Sequence, residues 1–199
     1  MTSSPGQHRT LVLASTSPFR RELLHRLGIT FEALAPDVDE TRQEGENPEA
    51  LVMRLSEAKA RAGANRYPDA LIIGSDQVAV CGDEVLGKPG NHEAACAQLS
   101  RLAGNRVDFL TGLCLYDAAS DSVLVDLIPY QVVFRQLTSQ QIDRYLKIDQ
   151  PYNCAGSFKS EGLGISLFES MHGEDPNALI GLPLIRLTSW LNKSGINIP

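Results

Sequence analysis

The sequence lacks several features that would place it quickly. Its four cysteines (Cys81, Cys96, Cys114, Cys154) are widely spaced and form no Cys-x-x-Cys pair, which excludes a zinc-ribbon or thioredoxin-type motif. Each has apolar or small neighbours, as expected of a reduced thiol acting as a small hydrophobe. No apolar run approaches the ~20 residues that span a bilayer. Met1–Thr10 is polar and has no apolar core of a secretory signal. A soluble, reducing, cytoplasmic setting is the expectation, with no membrane partner. Positive charge is also short: 18 Lys and Arg against 24 Asp and Glu leave a formal net charge of −6. A protein that coats nucleic acid is thereby disfavoured, though a local basic pocket for one phosphorylated ligand is not. Repeats, low-complexity tracts and Gly/Ser linkers are absent.

What is present is ordinary for a globular chain: 199 residues, 43% hydrophobic and 21% charged. That length suits one domain that buries about 70% of its unfolded surface without a disulfide or structural metal. A single domain over 1–199 is expected, with residues 1–9 as a polar N-terminal extension. Strand and helix patterns alternate. Thr10–Ala14 reads as a buried strand, Ser17-Pro18 as a cap opening a helix that Gly28 closes, and Phe31–Ala35 as a second strand. An acidic loop over 37–47 leads to a helix at Asn47-Pro48 with Leu51, Leu55, Ala58 and Ala62 on its apolar stripe. Ala70–Ile73 and Val78–Val80 read as two strand segments around Gly74-Ser-Asp-Gln77. A helix from Asn91 to Ala103 precedes two strands, Val107–Tyr116 and Val123–Phe134, joined by a turn at 118–121. A helix from Thr138 to about Ile148, a strand at Leu163–Phe168 and a helix from Pro183 to Leu191 complete the pattern. The fold class is α/β with a mixed sheet.

Several segments can carry chemistry. Ser15-Thr-Ser-Pro-Phe-Arg-Arg21 places hydroxyls and a helix N-terminus after a strand, a ready phosphate site, and equally an ordinary capped helix with two solvated arginines. Asp76 lies between apolar segments, where an ionised carboxylate needs a cation or metal; an Asx-turn at a bulge is the plainer alternative. Gly74 beside it suggests close approach of a ligand. Gly82–Pro89 nearly spells a phosphate loop, but Pro89 replaces the needed hydroxyl and has no N–H, so only Lys88 in a Gly-Lys-Pro turn survives. Asp37, Asp39 and Glu40 form an acidic cluster. Lys59 lies one residue off the apolar stripe and is expected to snorkel outward. Gly156, Gly162 and Gly164 frame a loop whose one carboxylate is Glu161, and Asp175-Pro176 reads as a helix cap.

Taken together in one order, Leu-Ala-Ser-Thr-Ser-Pro-x-Arg-Arg (13–21), Val-Asp-Glu (38–40), Lys59, Gly-Ser-Asp-Gln-Val (74–78), Gly-Lys-Pro (87–89), Ala-Gly-Ser-Phe-Lys-Ser-Glu-Gly (155–162) and Asp-Pro-Asn…Gly-Leu-Pro (175–183) resemble the Maf family of nucleoside triphosphate pyrophosphatases, and within it the branch acting on 7-methyl-GTP. The resemblance implies a three-layer α/β/α fold like that of the inosine triphosphate pyrophosphatases, with a cleft between two lobes. It implies hydrolysis of 7-methyl-GTP to 7-methyl-GMP and pyrophosphate, which keeps modified nucleotides from being incorporated. A divalent metal, Mg²⁺ or Mn²⁺, and a homodimer are also implied. By the same resemblance Asp76 is the general base and, with Glu40, a metal residue. Ser15, Arg20, Lys59 and Lys88 bind substrate, while Phe19, Gln77 and Glu161 set specificity. The branch often carries Trp at position 19, where this chain has Phe. The pyrimidine-directed branch carries Asp-Thr in place of Asp76-Gln77, and Gln in place of Glu161. Two alternatives stand: a pyrophosphatase on standard nucleotides (GTP, UTP, CTP), or a nucleotide-binding regulator of septum formation without turnover.

Overall fold

The computed structural model describes residues 9–199, so most of the expected N-terminal extension lies outside the described residues. Arg9 itself packs onto the fold, where its guanidinium pairs with Asp117 and donates to the Asp69 carbonyl at 3.3 Å.

A seven-stranded mixed sheet forms the middle layer. Its strands are β1 (Leu11–Ala14), β2 (Glu32–Leu34), β3 (Leu71–Cys81), β4 (Glu84–Leu86), β5 (Arg106–Asp117), β6 (Ser122–Phe134) and β7 (Phe168–His172). The order is β2-β1-β3-β5-β6-β7, with β4 also pairing β3; β1 runs parallel to β2 and β3, and every other pairing is antiparallel. Helix α2 (Pro48–Arg61) covers one face. The other carries α1 (Pro18–His25), α3 (His92–Leu102), α4 (Ser139–Asp149), α5 (Pro176–Ile180) and α6 (Leu184–Lys193). Side-chain alternation along β1 shows the two cores directly: Leu11 and Leu13 join the larger cluster, Val12 and Ala14 the smaller one beneath α2.

Five helices start on the side-chain caps that the sequence indicates. Ser17, Asn47, Asn91, Thr138 and Asp175 each accept a hydrogen bond from a first-turn amide, and Thr138 forms a full capping box with Gln141.

Four expectations need correction. The segments around Gly74-Ser-Asp-Gln77 are one unbroken eleven-residue strand, in continuous register with β5 from Leu71 to Val80. The buried stripe of α2 is Leu51, Val52, Leu55, Ser56, Lys59 and Ala60, shifted from the one expected, and Ala62 is exposed. Leu163–Leu167 is a 3₁₀ turn rather than a strand, because Gly164 and Leu167 are buried at the three-residue repeat while Leu163 and Ile165 face outward. Finally, the close approach that Gly74 permits is to a helix, not to a ligand. A Cβ there would stand 2.0 Å from the Ser56 carbonyl oxygen, and one at Gly112 would stand 2.2 Å from that of Val52. The two glycines let the α2 backbone rest on the sheet, which decides where Lys59 points.

Candidate active site

The parallel pairing of β1 with β3 ends at Ile73, and β4 joins β3 only from Ala79. Between them the β3 edge has no neighbouring strand. Strand alternation points the Leu71 amide at Thr10, so it also turns the main-chain groups of Ser75 and Gln77 into this gap. The gap lies beyond the carboxyl end of β1, the usual ligand position in an open α/β sheet. A cleft of about 800 Å³ fills it. Its walls are the β1–α1 turn, the 36–40 loop and α2 on one side, and the turn after β4 and the 150–161 segment on the other.

All nine residues to which the family resemblance gives a role line this cleft: Ser15, Phe19, Arg20, Glu40, Lys59, Asp76, Gln77, Lys88 and Glu161. Ser15 is buried, and its Oγ accepts from the Ser17 amide at 3.1 Å. Phe19 and Arg20 follow in the first turn of α1, where no acidic residue offsets the positive end of the dipole. Arg21 is exposed and lies outside the cleft. Arg20 is half-buried, and its Nε donates to the Gly181 carbonyl at 2.7 Å, which holds the guanidinium in place. Burial lowers its pKa despite Asp76 and Glu40 nearby, yet a guanidinium remains charged at neutral pH.

Lys59 does not snorkel. It is only 6% exposed, and its ammonium bonds Asp76 Oδ1 at 2.6 Å and Glu40 Oε1 at 2.7 Å. Lys59 lies on the stripe of α2 that faces the sheet, and the two carboxylates satisfy its charge. Lys59 foremost, then Lys88 and Arg20, hold the Glu40 carboxyl below the usual glutamate range. Of the acidic cluster, only Glu40 faces the cleft; Asp39 instead accepts from the Thr41 amide at 2.9 Å.

Lys88 is exposed at the rim, on a turn anchored at both ends. Gln98 donates to the Gly87 carbonyl at 3.1 Å, and the Gly90 amide donates to the Tyr152 carbonyl at 2.9 Å. Glu161 also lines the cleft and is exposed. Gln77 projects from the other face of β3, where its amide nitrogen donates to Thr111 Oγ1 and to the Ala178 carbonyl.

Asp76 and Glu40 each commit one oxygen to Lys59, and the other accepts no side-chain hydrogen bond. Two such carboxylates lining the cleft fit Mg²⁺ or Mn²⁺, which are commonly held by one or two carboxylates together with substrate phosphates. Among the described residues no group of three or more His, Cys, Asp and Glu side chains is arranged to hold a metal without substrate.

The sequence pattern of the Maf-like proteins matches residues 10–194, a span that contains every residue just placed in the cleft. The chain belongs to the Maf-like protein family. This Maf-like protein is similar to three proteins named 7-methyl-GTP pyrophosphatase. That of Alcanivorax borkumensis is 56% identical over 193 residues, covering 97% of this chain and 98% of the relative. That of Nitrosococcus oceani is 58% identical over 186 residues, or 94% of each chain. That of Pseudomonas putida is 53% identical over 189 residues, covering 95% and 98% respectively.

The Maf-like cleft also contains residues not singled out from the sequence. Lys159 lines it, with its Nζ donating to the Asp149 carbonyl at 2.8 Å and its amide donating to the Tyr145 hydroxyl at 3.1 Å. Lys159 stands in the same Gly-framed loop as Glu161, which was the available signal. Phe109 and Phe158 form an apolar wall, edge to face with centroids 5.4 Å apart; nothing local in the sequence brings them together.

Proposed function

We propose that this Maf-like protein hydrolyses 7-methyl-GTP to 7-methyl-GMP and pyrophosphate, removing a modified nucleotide before it is incorporated. The observation that carries this reading is Lys59, buried and bonded to both Glu40 and Asp76 at the floor of a cleft that Arg20 and Lys88 also line. The names of its full-length relatives support the same substrate. Four free cysteines suit a reducing cytoplasm.

A triphosphate carries about −4 at neutral pH, and an acidic protein must gather cations locally to bind it. Arg20, Lys59, Lys88 and the open amides at the start of α1 do so here. Asp76 Oδ1 is held by Lys59, so Oδ2 is the atom that takes a proton from water. The water oxygen forms a bond to the α-phosphorus, the α–β bridging P–O bond breaks, and that oxygen leaves with pyrophosphate. Positioning and charge neutralisation do most of the work in such a transfer. A divalent ion held by Glu40 and Asp76 would supply further neutralisation of phosphate charge.

N7-methylation makes guanine cationic, which suits an aromatic face and a carboxylate. Phe19 stacks on the base with cation–π character worth ~1–2 kcal/mol. Glu161 accepts from the N1–H and the 2-amino group. Gln77 adds one more polar contact.

The test is kcat/KM for 7-methyl-GTP, GTP, UTP and CTP, with pyrophosphate as the measured product. Preference for 7-methyl-GTP, reduced roughly tenfold by Glu161→Gln through loss of a charged hydrogen bond, supports the reading. Equal rates on all four, or binding without turnover, would replace it with one of the two alternatives.

A further inference from the structure

Thr111 lies on β5 directly opposite Gln77 and is completely buried. Its hydroxyl donates to the Ala178 carbonyl at 2.9 Å. A hydroxyl has one hydrogen, so towards Gln77 the Thr111 oxygen can only accept. The 2.9 Å contact must therefore come from the Gln77 amide nitrogen. The second hydrogen of that nitrogen goes to the Ala178 carbonyl at 2.6 Å, with the Leu179 carbonyl at 3.3 Å.

Both amide hydrogens are thus engaged on the protein side. The amide oxygen accepts no side-chain hydrogen bond, and the one buried side-chain atom without a partner among the described residues is Asp149 Oδ2. Gln77 Oε1 is therefore open, and Gln77 lines the cleft. Turning the amide over would set its oxygen against two main-chain carbonyls.

The carbonyls themselves are fixed. Asp175, buried at the start of α5, accepts from the Asn177 amide at 2.9 Å and from the Ile185 amide of α6 at 2.7 Å.

We propose that Thr111 is a positioning residue that locks the Gln77 amide, so that the cleft offers the base an acceptor and no donor at this point. The site then favours a base with an amino hydrogen left for Gln77 once Glu161 has taken N1–H and one 2-amino hydrogen, as guanine has, over adenine, which has no amino group at C2 and presents lone pairs at N1 and N3. This rests on the cleft being a nucleoside triphosphate site. Without the Thr111 hydroxyl, one amide hydrogen loses its buried acceptor and only the Ala178 and Leu179 carbonyls hold the group, which loosens the amide and lowers the penalty on adenine.

The experiment compares GTP with ATP, which share a purine frame and differ in this edge. Dissociation constants for their non-hydrolysable α,β-methylene analogues are measured by calorimetry, and kcat/KM for the nucleotides themselves, in wild type, Thr111→Val and Thr111→Ser. The GTP-to-ATP preference should fall about five- to tenfold in Thr111→Val and return in Thr111→Ser. Thr111→Ala removes the hydroxyl without adding bulk and serves the same comparison if the valine variant does not fold. An unchanged preference in the variants lacking the hydroxyl, or a serine variant that behaves like them, overturns the proposal. A wild type that binds both analogues but turns over neither these nucleotides nor 7-methyl-GTP refutes the pyrophosphatase reading alone, since the binding ratio still decides for Thr111. Failure to bind either analogue overturns the Thr111 proposal, and with no turnover of 7-methyl-GTP it overturns both.

Discussion

Lys59 and Asp76 are 17 residues apart in the chain and 2.6 Å apart across the interface between α2 and β3. The same ammonium reaches Glu40 at 2.7 Å, so one buried cation fixes two of the carboxylates that line the cleft. Replacing Lys59 with Met should leave the largely buried Asp76 side chain, 13% exposed, without its counter-ion. The expected loss is about 3 kcal/mol of stability, with at least a hundredfold fall in kcat/KM. Urea unfolding and steady-state kinetics check the two parts separately.

The position of Lys59 depends in turn on Gly74. A Cβ at Gly74 meets the main chain of α2, which no side-chain rotation can relieve. Gly74→Ala is expected to cost about 3 kcal/mol and to reduce activity by displacing α2 from Asp76. Gly87→Ala is the contrast, because a Cβ there meets nothing within 4 Å. Its stability should stay within about 0.5 kcal/mol of wild type, as thermal melts of the two variants would show.

The helix starts were legible in the sequence because a cap acts over three residues: Ser17, Asn47, Asn91, Thr138 and Asp175 all cap as read. The charged residues of the cleft were legible through a family pattern, not through local physics. Three features were hidden for one reason, namely contact with residues distant in sequence. Gly74-Ser-Asp-Gln77 looks like a loop until α2 and β5 are laid against it. Lys59 looks solvated until the shifted stripe of α2 turns it inward. Thr111 is an unremarkable strand residue until its cross-strand partner is known to be Gln77.

Asp175 shows how a plain role can reach a functional site. It caps α5 and also bonds the α6 amide of Ile185, and α5 leads to the Gly181 carbonyl that holds Arg20. Asp175→Ala leaves the amides of two helix starts without their acceptor. A loss of about 2–4 kcal/mol is expected, as is a rise in KM for triphosphate from the loosened Arg20. Asp175→Asn should retain more of both, since its amide oxygen still accepts.

Acid sensitivity has a specific source at the edge of the fold. The Arg9 guanidinium, first by hydrogen bonding, holds the Asp117 carboxyl at about 2. An unfolded aspartate titrates near ~3.9. The pair's contribution is therefore present in full above about pH 4 and is lost as pH falls through about 2. Asp117→Asn should lower stability at neutral pH and flatten its decline between about pH 4 and 2, measurable by urea unfolding across that range.

The account as a whole turns on Asp76 as the group that takes the proton from water. Asp76→Asn keeps the shape of the side chain and its contact with Lys59 while removing the basic oxygen. Pyrophosphate release from saturating 7-methyl-GTP with Mg²⁺ or Mn²⁺, measured on folded protein, is predicted to fall by at least ~100-fold. A rate equal to wild type would contradict the assignment of the reaction to this cleft.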